Sequence, residues 1–496
     1  MPAPSTRRRF LRNAALTAAG LGVMRPATAE MLEGAQMRGG AETPVPGAAG
    51  ITTSPAGKWQ PLAVTGSRFR WDLLNLNIDL RATAQTMQGF GGCFNELGWV
   101  ALSAMRPGDR KAMMRELFHP TEGMRFTYCR MPIGANDFAR EAYSYDETDG
   151  DFALEHFSIA HDRDSLIPFI HAAQEQQPAL KLWASPWTPP SWMKRNHFYA
   201  EARGRAGMKD NGIREDQIGH EGEDMFLLDE AHLKAYARYF GKFIDAYRAE
   251  GIPVGMVMPQ NEFNSAQNFP SCTWTPEGLS KFLRYLGPEM SARHVEIFFG
   301  TLERGDPRML QTVLDDPQAG KFIRGVGMQW AGKNALPEIA RKHPNLTIFQ
   351  SEQECGDGKN TWEYTGYCWQ LMKHYLRSGA SGYMYWNIAT PNGGTSSWGW
   401  AQNALICVDP QTGTPTLNPD FYLMKHLTHF VDVGAVRLET TGTCDNALAF
   451  RNPDGALIVV LRNELPHPQS VQIGAGPKPV VVMLPADSIS TVSLKV

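Results

Sequence analysis

The chain has 496 residues, 43% hydrophobic and 20% charged, enough to bury a large core and to build one big domain with a smaller companion. Its formal net charge is −3 and no basic stripe with interleaved aromatics appears, which argues against a nucleic-acid-binding surface. The seven cysteines, Cys93, Cys129, Cys272, Cys355, Cys368, Cys407 and Cys444, form neither a CxxC pair nor a zinc spacing. No structural metal and no cofactor are expected, and the odd count leaves at least one free thiol.

The N-terminus has the form of an address. Thr6-Arg7-Arg8-Arg9-Phe10-Leu11-Arg12 reads as a twin-arginine signal. An apolar stretch, Ala14 to Val23, follows, and then Ala27-Thr28-Ala29, a small-residue cleavage site. The stretch is too short to span a bilayer, so no stable membrane anchor is expected. Residues 1–29 are thus expected to be a signal peptide for export of the folded protein, giving a periplasmic or extracellular location. Residues 30–57, rich in Gly, Ala, Pro and Thr, read as a disordered linker. Leu73 to Leu80 alternates apolar and polar residues, the pattern of a half-buried strand. Residues 58–84 are assigned to N-terminal strands of a β-sandwich.

From 85 to 408 apolar runs of strand type alternate with helical stretches. The runs are Met87–Phe94, Phe126–Ile133, Leu180–Trp187, Pro253–Gln260, Val295–Thr301, Gly325–Trp330, Thr347–Ser351 and Gly382–Ile388. Glu230–Arg248 and Pro276–Leu286 are amphipathic helices between them. Eight such units predict an α/β fold, a (β/α)8 TIM barrel. Arg195–Met225 is expected to form one long loop. Beyond Asp409 the pattern turns to β. Asn446–Arg451, Ala456–Leu461, Ser470–Ile473, Val480–Leu484 and Ser488–Leu494 are short strand-like runs, with turn signals such as Pro453-Asp454-Gly455 between them. Residues 409–496 are expected to form a C-terminal β-sandwich, joined by the early strand at 73–80.

Two glutamates stand at the ends of barrel runs. Glu262 follows the fourth and Glu352 the seventh, and a carboxylate at the C-terminal end of a barrel strand reads as catalytic. Strands four and seven are expected to lie across from each other, so both carboxyls reach one pocket. Paired carboxyls of this kind equip a glycosidase, one ionised and one protonated. Glu354 is a rival to Glu352, because residues i and i+2 of a strand share a face. Glu96 and Glu303 also follow strand-like runs; Glu96 is expected to be structural or at the pocket edge.

The chain resembles glycoside hydrolase family 30, in particular its acid β-glucosidase branch, on several segments. These are Gln88-Gly89-Phe90-Gly91-Gly92, Arg130-Met131-Pro132 with Asp137-Phe138, and Ser185-Pro186-Trp187-Thr188-Pro189-Pro190-Ser191-Trp192-Met193-Lys194. Asn261-Glu262, Ser351-Glu352, Trp386-Asn387, Gly393-Gly394 and Asn403 complete the set. The likeness runs from about residue 73 to the C-terminus. It implies a retaining β-glycosidase with Glu352 as nucleophile and Glu262 as acid/base, and it favours Glu352 over Glu354. It implies that Asn261 bonds the sugar 2-hydroxyl, that Asp137 accepts from sugar hydroxyls, and that Trp187 and Trp386 wall the glycone subsite. Trp330, Gln329 and Asn403 are also expected among the substrate-binding residues. Arg130 serves to keep the nucleophile ionised, or as a structural ion pair within the barrel.

The chain departs from the family pattern in two places. The usual Asn-Glu-Pro is here Asn261-Glu262-Phe263. A His-Trp-Tyr at the sixth strand is here Gln329-Trp330-Ala331, and Gln329 carries no charge at neutral pH. The loop Thr390–Trp400, with Trp398 and Trp400, is expected to offer aromatic surface to a sugar acceptor. The expected partner is an oligo- or polysaccharide, or another β-glycoside, with glucose the favoured sugar. The alternatives are an endo-acting xylanase or galactanase, a β-fucosidase or β-xylosidase, and a non-catalytic carbohydrate-binding protein.

Overall fold

The structure, a computed structural model, describes residues 44–476 and 478–495. The expected signal segment and the linker as far as residue 43 lie outside them. Four strands open the described chain: β1 (Ala49–Ser54), β2 (Gly57–Pro61), β3 (Val64–Gly66) and β4 (Leu74–Thr86). Strand β1 falls within 30–57, where composition suggests a disordered linker; this is a correction. Its Ile51-Thr52-Thr53 core is β-branched, and its backbone pairs with the last strand of the chain, Ile51 opposite Thr491. Gly, Ala and Pro on either side hide so short a strand in a composition count.

The barrel strands follow in chain order: β5 (Gly89–Cys93), β6 (Tyr128–Ile133), β7 (Lys181–Pro186), β8 (Met256–Val257), β9 (Glu296–Leu302), β10 (Ile323–Met328), β11 (Thr347–Gln350) and β12 (Gly382–Pro391). All pair in parallel, each with the next. β12 pairs with β5, Gly382 opposite Gly89, and so closes the ring. The order places β8 and β11 three positions apart rather than diametrically opposite, with β9 and β10 on the short arc between them.

The run Gly89-Phe90-Gly91-Gly92 has a steric cause. A Cβ on Gly91 would lie 2.1 Å from the Tyr128 carbonyl oxygen, and one on Gly92 2.5 Å from Ile388 Cγ1. Tyr128, Trp183, Met256, Met258, Phe298, Phe349 and Met384 fill the barrel interior as a separate apolar cluster. Polar side chains of the strand ends stand outside it. The outer helices bury one face each. In the helix Glu230–Ala249, capped by Asp229, the buried residues Leu233, Tyr236, Ala237, Phe240, Ile244 and Tyr247 recur at helical spacing.

Strands β13 (Ala404–Val408) and β14 (Pro415–Leu417) extend the barrel sheet beyond β12, and the helix Pro419–Thr428 follows. The chain therefore enters the second layer later than residue 409, with β15 (Val436–Gly442). β16 (Ala447–Arg451), β17 (Ala456–Asn463), β18 (Gln469–Gly474), β19 (Val480–Leu484) and β20 (Ser488–Lys495) complete it. The ten-strand order is β2-β1-β20-β17-β16-β15-β4-β18-β19-β3, a sandwich wrapped around its own apolar cluster.

Strand β17 is buried on both faces. Leu457, Val459 and Leu461 enter the sandwich core, while Ile458 and Val460 join the large core of the barrel. That is why Leu-Ile-Val-Val-Leu is continuously apolar rather than alternating. His426 is fully buried at the same junction, between Thr53 Oγ1 and Thr491 Oγ1, each 2.9 Å away. Burial pulls its pKa down to about 3.

Candidate active site

Six barrel strands deliver one buried polar cluster. Arg130 stands on β6, Ser185 on β7 and Thr301 on β9. Asn261 and Glu262 follow β8, Gln329 follows β10, and Glu352 follows β11. Arg130 Nη1 donates to Glu352 Oε2 at 2.6 Å, and Arg130 Nη2 donates to Ser185 Oγ at 2.9 Å and to Asn261 Oδ1 at 2.7 Å. Gln329 Nε2 reaches both carboxyls, 3.3 Å from Glu262 Oε1 and 3.2 Å from Glu352 Oε2. Ser351 Oγ donates to Gln329 Oε1 at 2.9 Å and orients that amide. Asn261 Oδ1 also accepts from Gln329 Nε2 and Thr301 Oγ1, both at 3.3 Å. Three donors on that oxygen fix the amide and leave Nδ2 for a ligand.

The turn that carries Glu262 is held from β9. Glu262 has φ 44°, a left-handed conformation costly for a residue with a side chain. Its N–H donates to Thr301 Oγ1 at 2.8 Å. Glu303 Oε1 accepts from Asn264 N–H at 2.9 Å and from Ser265 Oγ at 3.1 Å, and Arg304 Nη2 donates to the Asn264 carbonyl at 2.7 Å. Phe263, in the usual proline position, is buried edge-on against Phe299. Burial pushes the Glu303 carboxyl up to about 7, Arg304 opposing and Glu262 reinforcing.

Burial also dominates at Glu352, pushing its carboxyl up to about 7; Arg130 opposes the rise and Glu262 adds to it. The cation thus limits the rise without cancelling it. Trp187 and Trp386 face one another with ring centroids 5.4 Å apart. The Arg130 guanidinium carbon lies 4.3 Å from the first ring centroid and 5.3 Å from the second. Asp137 is 5% exposed, and burial, then Glu352 and Glu262, raise its pKa well above the usual carboxylate range. Asp137 Oδ1, Asn136 Nδ2 and Trp386 Nε1 are buried without a hydrogen-bond partner among the described residues.

Other candidates fall elsewhere. Glu354 turns away from the pocket, to Lys333 Nζ at 2.6 Å and the Tyr367 hydroxyl at 2.7 Å. β11 ends at Gln350, so the shared-face argument for residues 352 and 354 no longer applies. Asn403 Oδ1 accepts from the N–H groups of Gly358 and Asn360, both at 3.0 Å, so it clamps the loop after Glu352 through its acceptor. Trp330 is half-buried beside Gln329 with φ 48°. Trp398 offers no open face, being 4% exposed.

Glu96 is structural. It receives Arg140, His161 and Ser165, and so braces the segment that carries Asp137. Sequence reasoning missed Ser185, Thr301 and Ser351 as site residues; each sits at a strand end, the one signal that could have found them. All seven cysteines are free and buried. Among the described residues no cluster of His, Cys, Asp and Glu is arranged to hold a metal ion, and no helix is long and apolar enough to cross a membrane.

Residues 87–431 match the model of the glycosyl hydrolase family 30 TIM-barrel domain, and 434–492 that of the family 30 beta sandwich domain. The chain belongs to glycosyl hydrolase family 30. Among its relatives in that family, the lysosomal acid glucosylceramidase of Mus musculus is 29% identical over 433 residues, 81% of this chain and 79% of that protein. An endo-1,6-beta-D-glucanase of Neurospora crassa is 25% identical over 427 residues, 80% of this chain and 83% of its own. The crystal structure of SrfJ from Salmonella typhimurium shares the fold with a TM-score of 0.79 at 24% identity, covering 90% of this chain and 100% of that one. As a family 30 protein, the chain is a glycoside hydrolase.

Proposed function

We propose that the chain is a retaining β-glycoside hydrolase that works through a covalent glycosyl-enzyme, with Glu352 as nucleophile, Glu262 as acid/base and β-glucosidic linkages as substrate. One observation carries the reading: Gln329 Nε2 lies within hydrogen-bond reach of both carboxyls. The two oxygens it bridges are then at most about 6.5 Å apart, a limit that only touches the lower edge of the roughly 6.5–9.5 Å an inverting enzyme keeps between its carboxyls and favours the shorter retaining separation.

The chemistry follows from these positions. Glu352 attacks the anomeric carbon while Glu262 gives its proton to the leaving oxygen. The covalent bond removes the charge of Glu352. Glu262, now ionised, takes a proton from water, and the hydroxide displaces Glu352. Arg130 holds the leaving carboxylate as its charge returns. Asn261 Nδ2 stands ready for the 2-hydroxyl, Asp137 for hydroxyls farther from the bond, and the two tryptophans for the apolar faces of the ring. Glucose is favoured by what the glucosylceramidase and glucanase relatives are named for.

We also propose export through the twin-arginine route to the periplasm or beyond, supported by Arg7-Arg8-Arg9 with its apolar stretch and small-residue site. The deciding test of function is a panel of aryl β-glycosides with product anomers followed by NMR. The reading expects the β-anomer first and glucosides fastest. An α-anomer as first product would overturn it.

A further inference from the structure

The turn after β8 hangs on Asn264, two residues past Glu262. Both its backbone polar groups and its side-chain oxygen are bound, each to a different residue. Its N–H donates to Glu303 Oε1 at 2.9 Å, its carbonyl accepts from Arg304 Nη2 at 2.7 Å, and its Oδ1 accepts from the Gly222 N–H at 2.6 Å. Beside it, the Ser265 N–H donates to the Glu262 carbonyl at 2.9 Å and closes the turn. Ser265 Oγ donates to Glu303 Oε1 at 3.1 Å and accepts from Arg304 Nη1 at 3.2 Å.

Arg304 gathers these contacts. Its guanidinium reaches the Asn264 carbonyl, the Ser265 hydroxyl and two carboxyls, Glu303 at 3.4 Å and Glu221 at 2.7 Å. Glu221 and Gly222 belong to the segment Arg195–Met225 after β7. One side chain therefore ties that segment to the end of β9, with the Glu262 turn between them. Arg304 pairs with those two carboxyls rather than with Glu262, so it acts on Glu262 through the backbone. With φ 44°, Glu262 keeps its left-handed form only while its surroundings hold it. A carboxyl carried on such a turn moves with it, and a misplacement of about 1 Å at a catalytic group costs about a hundredfold in rate.

We propose that Arg304 is a positioning residue for the acid/base: paired with Glu221 and Glu303, it holds the Glu262 turn in the left-handed form that aims the carboxyl at the leaving oxygen. The inference rests on the role given above to Glu262. It has a consequence that a merely structural role lacks, because only the step that needs the proton of Glu262 should suffer.

A weakly basic leaving group departs without a proton, and a strongly basic one does not. The test therefore compares dinitrophenyl and methoxyphenyl β-glucosides by kcat/KM, which reports the first displacement, in wild type, Arg304→Gln, Glu221→Gln and Glu262→Ala. Arg304→Gln should lose about a hundredfold on the methoxyphenyl substrate and less than about threefold on the dinitrophenyl one. Azide, which attacks the glycosyl-enzyme without help from a base, should speed the variant on the dinitrophenyl substrate and yield β-glucosyl azide. Glu221, with 58% of its side chain exposed, contributes little to the fold, so Glu221→Gln should stay folded and show the same selectivity in weaker form. Equal losses on the two substrates in a folded Arg304→Gln, or no loss on either, would overturn the inference. If Arg304→Gln does not fold, an unselective Glu221→Gln overturns it instead. Glu262→Ala separates the two readings. If it fails to discriminate between the leaving groups, the role of Glu262 falls and the inference with it; if it discriminates and the Arg304 variant does not, the inference alone falls.

Discussion

The Arg130 guanidinium and the Glu352 carboxyl meet at 2.6 Å with 0% and 8% of their side chains exposed. The pair joins β6 to the end of β11 across the barrel, and it is where the fold and the chemistry bear on the same two atoms. Burial pushes Glu352 up to about 7, and Arg130 is the largest opposing influence.

Arg130→Gln should therefore raise the pKa of Glu352 further. Because the nucleophile must be ionised, the acid limb of kcat/KM should move to higher pH, with turnover at pH 5 falling more than turnover at pH 8. Removing one partner of a buried pair should also destabilise the fold by about 3 kcal/mol. A pH profile read beside a denaturation curve checks both. An acid limb that stays in place would show that Arg130 is structural only.

Asp137→Ala should separate activity from stability. Asp137 Oδ1 has no partner among the described residues, and its pKa is raised chiefly by burial. Its loss should leave the melting temperature equal or higher, while kcat/KM falls about a hundredfold or more through lost contacts to sugar hydroxyls. A drop in melting temperature without a drop in kcat/KM would reverse that assignment.

Glu303→Gln should change stability in a pH-dependent way. The folded pKa of about 7 lies above the ordinary 4.5, so the folded protein keeps a proton that the unfolded chain releases. That proton is lost from the fold as pH rises, and stability with it, between roughly pH 4.5 and pH 7. The variant should match wild type near pH 4 and exceed it at pH 8 by up to about 3 kcal/mol. Denaturant titrations at the two pH values decide it; equal differences at both would contradict the buried-carboxyl account.

The legibility of the chain followed burial. β12 and β17 are covered on both faces, so each contains an unbroken apolar run that stands out, Tyr383–Trp386 in the one and Ala456–Leu461 in the other. β1, with its Ala-Gly-Ile-Thr-Thr-Ser, draws its order from pairing with β20, more than four hundred residues away, and carries no such mark. The site divides in the same way. Glu262 and Glu352 follow apolar runs of strand type and announce themselves by position. Glu303 owes its place to a turn after another strand, Asn403 to two backbone N–H groups, and Trp398 to Tyr199 in a distant loop. Those are tertiary facts. A linear reading put Trp398 on the acceptor side because it saw a loop and an aromatic ring, without the contact that buries the ring.

The covalent intermediate is the central claim, and trapping tests it most directly. The protein would be incubated with a 2-deoxy-2-fluoro-β-glucoside bearing a good leaving group, then digested and mapped by mass spectrometry. The account predicts one added fluoroglucosyl group, carried by the peptide containing Glu352 and absent from the Glu352→Gln variant. A label on Glu354 or Glu262, or turnover without any label, would contradict it.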